Sequence, residues 1–230
     1  MTAASGARSA RRAGAGRRWL GRVGALVLGA AGATLLFAPA LAAYVPGGAC
    51  PESDGREESI VGGEVLLTLT EFPGSAAKEG CVLGFILAPP ETVMAVLRDA
   101  ASYDEYMPRV RRSDVSVGGG GVVLNRQELD LPFPIGDRHF TIRLHEERSE
   151  EGVHRLGFTY VKGSGNVVDT RGYWLIEPWR EGSRVTYVLW TDPGGAIPKW
   201  AINRASRRTL PQVVTALRDR VLGRLAAAGG

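Results

Sequence analysis

Residues 191–200 read Thr-Asp-Pro-Gly-Gly-Ala-Ile-Pro-Lys-Trp. Two prolines and a glycine pair continue neither a strand nor a helix, so this stretch must be a turn between two different elements. Before it, residues 184–191 alternate as a strand. After it, Leu210, Val214, Leu217, Val221 and Leu225 recur on one helical face, while Arg207, Arg208, Arg218, Arg220 and Arg224 fall largely elsewhere. Pro211 inside that pattern predicts a kink or a restarted first turn. A strand, a sharp turn and a long amphipathic helix have one economical solution, in which the helix lays its apolar face back across the sheet it has just left.

The chain upstream supplies that sheet. Residues 64–71 and 80–87 read as strands, and Pro89 and Pro90 suit the first turn of a helix carried by Val93, Val96 and Leu97. Ser102 starts a second short helix and Pro108 stops it. Residues 110–117, 122–131, 138–147, 154–162, 167–177 and 184–191 then read as successive strands. The connections are short, and the glycines of 118–121 and 163–165 belong to turns, so neighbouring strands run antiparallel. The expected class is α+β: a curved antiparallel sheet wrapped around a long C-terminal helix, with two short helices after the second strand.

Residues 1–42 stand apart from this fold. Arg8, Arg11, Arg12, Arg17, Arg18 and Arg22 form a basic start without acids, residues 23–37 are apolar, and Ala40-Leu41-Ala42 matches the small-x-small pattern of a cleavage site. This is a signal peptide, implying a periplasmic or secreted protein; the alternative is an uncleaved membrane anchor reaching Leu41. Residues 43–59 read as a linker and 60–227 as the domain. The whole chain is +4 from 28 basic and 24 acidic residues. Without the six leader arginines the balance is 22 to 24, or −2, which offers nothing to nucleic acid. Cys50 and Cys81 both follow the leader, and an oxidising compartment favours a disulfide between them over two free thiols.

Arg138 is in phase with Phe140, Ile142 and Leu144, so it falls on an apolar strand face. An arginine there needs a buried carboxylate, a ligand's polar head, or a strand-edge position from which its guanidinium reaches water. Phe158, Tyr160, Tyr173, Trp174, Tyr187 and Trp190 are spread over three strands and could line a pocket or pack as ordinary core. Strand phase does not choose between Tyr173 and Trp174. His139 and His145 oppose Phe140 and are expected to face solvent. No histidine, cysteine or acid has metal-ligand spacing, and no nucleophile elbow or phosphate loop is present, so no catalytic residue, metal or cofactor is assigned. Lys199, Arg204, Arg207 and Arg208 cluster beside Trp200, a pattern suited either to an anionic membrane surface or to a solvated helix face.

The 191–200 turn with its helix, the Leu131-Pro-Phe-Pro-Ile-Gly-Asp-Arg138 segment, Ala88-Pro-Pro-Glu-Thr-Val-Met-Ala-Val-Leu97 and Tyr103-Asp-Glu-Tyr-Met-Pro108 together resemble the START-like, helix-grip lipid-binding family over roughly residues 60–225. That resemblance implies a carrier that holds a lipid or other apolar small molecule in an internal cavity without catalytic residues. It favours a partly buried Asp137-Arg138 element. Candidate cavity residues are Arg138, Phe140, Phe158, Tyr160, Tyr173, Tyr187 and Trp190. The candidate gate comprises Asp192, Gly194, Gly195, Ile197 and Trp200. Relatives on this fold also include polyketide aromatases and cyclases, so a cyclase- or hydrolase-like enzyme is the alternative, and a domain with a packed interior is a third.

Overall fold

The computed structural model describes residues 48, 50–148 and 151–229; the leader at 1–42 lies outside the described residues. Eight strands form one antiparallel sheet: β1 (Leu66–Thr70), β2 (Glu79–Ile86), β3 (Val110–Val117), β4 (Val123–Leu129), β5 (Arg138–Arg148), β6 (His154–Tyr160), β7 (Asp169–Trp179) and β8 (Gly182–Asp192). Their spatial order is β1-β2-β8-β7-β6-β5-β4-β3. From β3 to β8 the chain is a meander of neighbours. The insertion of β2 beside β8 departs from that order and brings the start of the domain against its end. Helix α1 is Glu57–Val61, α2 is Pro90–Arg98, α3 is Tyr103–Tyr106 and α4 is Lys199–Ala228. Among the described residues no helix is long and apolar enough to cross a membrane.

The sheet wraps α4, and two glycines set how closely. A Cβ on Gly80 would lie 2.2 Å from Leu210 Cδ1, and one on Gly84 2.8 Å from Val214 Cγ1. Bare backbone at these two β2 positions lets the helix ridge sink onto the strand. Val214, Leu217 and Val221 are thereby at most 1% exposed, each contributing about 1.5–3 kcal/mol of transfer free energy. They join Val82 and Ile86 of β2 and Val93, Met94 and Leu97 of α2 in one core.

Of the two expectations for Pro211, a restarted first turn is not what forms: α4 is one helix of 30 residues with Pro211 inside it. Helix α1 spans the expected boundary between linker and domain at 59/60. Its Ile60 is fully buried against Leu66, Leu83 and Phe85 on the sheet face away from α4. A five-residue helix is too short to show a 3.6-residue period. Further along that face, Cys50 is disulfide-bonded to Cys81 and packs beside Tyr173 and Val188. Finally, His145 does not face open solvent. It is half-buried with its ring over Gly157, where a Cβ would lie 2.1 Å from its Nε2. Burial lowers the pKa of this imidazole.

Candidate functional site

Sheet and helix meet tightly at β1 and β2 and separate toward β4–β7. The gap is a cavity of about 220 Å³. Its sheet wall carries Phe140 and Ile142 from β5, Leu156 and Phe158 from β6, Trp174 from β7 and Tyr187 from β8. Ile202, Leu210 and Val213 of α4 close the opposite side, and Leu131, Ile135 and Pro193 come from two loops at one end. Trp174 and Tyr187 form a stacked pair, and Phe158 tilts toward Tyr187 at 6.3 Å between centroids.

Four of the wall's polar side chains are buried: Tyr103, Gln127, Thr170 and Tyr187. The Tyr103 hydroxyl donates to the Leu97 carbonyl at 2.6 Å, and the Thr170 and Thr191 hydroxyls share a hydrogen bond at 2.6 Å. Gln127 and Tyr187 have no side-chain hydrogen bond among the described residues. Burial pushes both tyrosine hydroxyls well above their ordinary range, so each stays neutral. The wall carries two cationic side chains: Lys78 is half-buried and paired with Glu71 at 2.8 Å, and Arg109 is exposed with its backbone in the left-handed region. Among the described residues no three His, Cys, Asp or Glu side chains are grouped to hold a metal ion.

Of the residues expected to line a cavity, Phe140, Phe158 and Tyr187 do. Tyr160 packs on the same core without reaching the wall. Tyr173 and Trp190 are on the other face: Arg155 lies over the Tyr173 ring at 4.3 Å, and Trp190 stacks on Phe72 at 4.2 Å. Side chains of a regular strand alternate, so Tyr187 and Trp190, an odd number apart, cannot share a face. Trp174 lines the cavity instead of Tyr173. The signal for that choice was present: Thr170, Gly172, Trp174 and Ile176 are uncharged, whereas Tyr173 is in phase with Arg171 and Glu177.

Arg138 is not on the wall. Its Nε donates to the Pro193 carbonyl at 2.9 Å and its Nη1 to the Asp137 carbonyl at 3.0 Å. It is the first residue of β5 and half-buried, so it stands at a strand end with backbone oxygens accepting from Nε and Nη1. Asp137 pairs with Arg111 at 3.2 Å, so Asp137 and Arg138 are not ion partners. In the gate segment, Asp192 Oδ1 accepts from the Gly194 amide at 3.0 Å, and Gly194 and Gly195 have φ of 67° and 74°, which only glycine adopts freely. Asp192, Gly194, Gly195, Ile197 and Trp200 do not touch the cavity; their neighbours Thr191, Pro193 and Ile202 do. Trp200 is 65% exposed. Gln127 was missed because a lone glutamine between Arg126 and Glu128 reads as an exposed strand residue.

Known proteins with this architecture fit the geometry. The fold matches a STAR-related lipid transfer protein from Xanthomonas axonopodis (TM-score 0.62, 24% identity, 68% of this chain and 93% of that one). It also matches human StAR-related lipid transfer protein 5 (TM-score 0.58, 13% identity, 69% and 82%). A third match is the Zhui aromatase/cyclase from Streptomyces sp. R1128 (TM-score 0.51, 18% identity, 73% and 99%). An uncharacterized protein of Pseudomonas aeruginosa is 26% identical over 147 residues, 60% of this chain and 73% of its own length. The model of the family described as polyketide cyclase/dehydrase and lipid transport matches residues 85–230. With a START-like sheet gripping a long C-terminal helix, and with a family match across more than half its length, the chain belongs to the polyketide cyclase/dehydrase and lipid transport family.

Proposed function

We propose that this protein binds a hydrophobic small molecule in the cavity between sheet and helix and carries it outside the cytoplasm. The observation that supports this most is the wall itself. Aromatic and aliphatic side chains from four adjacent strands and α4 face a gap they do not fill. Removing a ligand's apolar surface from water there is favourable by about 25 cal/mol per Å². Binding is taken over cyclase-like catalysis because the wall is built mainly of aliphatic and aromatic side chains. Export is supported by the arginine-rich leader and the Cys50–Cys81 disulfide.

The cavity end formed by Leu131, Ile135 and Pro193 is flanked by two outward aromatics, Phe133 at 96% and Trp200 at 65% exposure. Arg204, Arg207 and Arg208 are exposed near Trp200. Apolar rings among cations suit an anionic bilayer, at which the ligand would enter and leave.

Mass spectrometry of molecules co-purifying with the protein from a host with its native lipid pool tests the binding reading. An apolar compound at near one copy per chain is expected. Empty protein that also refuses a broad panel of apolar probes would favour a packed interior.

A further inference from the structure

We propose that the ligand is a compact, uncharged molecule with a hydrogen-bonding group at each end, met by Gln127 and Tyr187. This inference rests on the reading of the cavity as the binding site and narrows what it takes. The first argument is volume. At about 220 Å³ the cavity lies below the roughly 300–1,000 Å³ of sites for drug-sized ligands, so a fused two-ring compound is closer to its scale than a diacyl lipid.

The second argument is an accounting of buried polar groups. Such groups are normally paired, and an unpaired one invites a partner from outside the chain. Tyr103 and Thr170 are satisfied within the protein. Among the described residues Gln127 and Tyr187, each 9% exposed and each on the wall, make no side-chain hydrogen bond, and their polar atoms are not sealed into the packed interior, so both are open to a partner in the cavity. Both are neutral; the Tyr187 hydroxyl is held so by burial. A carboxamide and a hydroxyl can each donate and accept, which suits a ligand hydroxyl or carbonyl.

The third argument is placement. Gln127 is on β4 opposite Phe140, and Tyr187 is on β8 stacked on Trp174, with β5, β6 and β7 between them in the sheet. Hydrogen-bonding groups on separated strands of one wall call for separated groups on the ligand. A fatty acid carboxylate would be served poorly by either. Of the cations on the wall, Lys78 is already engaged by Glu71 and Arg109 is exposed.

Titration calorimetry of the purified protein with four probes tests this. The probes are naphthalene, a naphthalenediol with its hydroxyls at opposite ends, decanoate, and phosphatidylglycerol vesicles. The diol is expected to bind tightest. Gln127→Met and Tyr187→Phe, which keep side-chain bulk, should each weaken diol binding about three- to tenfold without weakening naphthalene binding. Each variant is read separately, so one that fails to fold leaves the other decisive. Equal affinity for diol and naphthalene, or indifference of both variants, overturns the proposal while the apolar cavity stands. Binding of decanoate or phosphatidylglycerol in place of the ring compounds also overturns it, in favour of an anionic lipid. Failure of all four probes removes the proposal and the binding reading together.

Discussion

Trp174 and Tyr187 stack with their centroids 4.1 Å apart and their planes 25° from parallel, joining β7 to β8 across a directly paired position of the ladder. The pair fills one flank of the cavity and leaves the Tyr187 hydroxyl without an internal partner. Trp190, three residues further along β8, stacks on Phe72 on the opposite face. Trp174→Phe is expected to weaken an apolar probe by about 0.5–1.5 kcal/mol through loss of the stacked surface, whereas Trp190→Phe should leave affinity unchanged. Fluorescence titration of both variants checks this, and equal losses would put the ligand elsewhere.

Gly84 holds the helix–sheet approach. Gly84→Val inserts a branched side chain where Val214 Cγ1 would already be 2.8 Å from a Cβ. Overpacking should cost about 1–3 kcal/mol. Urea denaturation measures it. Because α4 also forms a cavity wall, the same variant is expected to alter probe affinity.

Arg138 ties β5 to the 193–198 loop through the Pro193 carbonyl. Arg138→Leu leaves no buried carboxylate behind, so the large penalty of an orphaned charge does not apply. A loss of about 1–2 kcal/mol from missing charge-assisted hydrogen bonds is expected, together with faster ligand release as the loop loosens. Stopped-flow release and melting temperature together test it; unchanged release would deny the loop a gating role.

The Cys50–Cys81 disulfide, spanning 31 residues, fastens the N-terminal arm to the sheet face opposite α4. Replacing both cysteines by serine should lower stability by about 2–4 kcal/mol. Non-reducing peptide mapping of protein made in an oxidising compartment should show the linked peptides.

Arg98 donates to Glu146 at 2.8 and 2.5 Å and to Glu91 at 2.5 Å. Its hydrogen bond is the main cause holding the Glu146 carboxyl below its usual value of 4.5. A carboxyl lowered in the folded state adds stability that is complete above the unfolded value and disappears as pH falls through the folded one. Arg98→Gln should therefore melt about 1–4 °C below the parent at neutral pH, and the gap should close in acid. A constant gap across a melting series from neutral pH to below 4.5 would assign Arg98 a packing role instead.

The sequence by itself determined the order and kind of nearly every large element. Strand β3 falls at the expected 110–117, and the Pro-Gly turn does separate β8 from α4. These features depend on neighbours close along the chain, where alternation, helical spacing and turn chemistry are local and additive. Phe140, Phe158 and Tyr187 were readable as cavity residues, and strict attention to alternation would have exchanged Tyr173 for Trp174 and removed Trp190.

Only the tertiary structure decided the rest. Arg138 found one backbone carbonyl 55 residues away, a partner that no spacing rule can announce because carbonyls are everywhere. The five residues of α1 became a cover for the sheet because Leu83 and Phe85 needed one on that face. Whether the space beneath α4 closes into core or stays open depends on Gly80 and Gly84 drawing the helix down at β2 while Trp174, Phe158 and Phe140 hold the wall on the strands beyond. That balance is a sum of side-chain volumes brought together from distant parts of the chain, and volume in three dimensions is not written in a one-dimensional pattern.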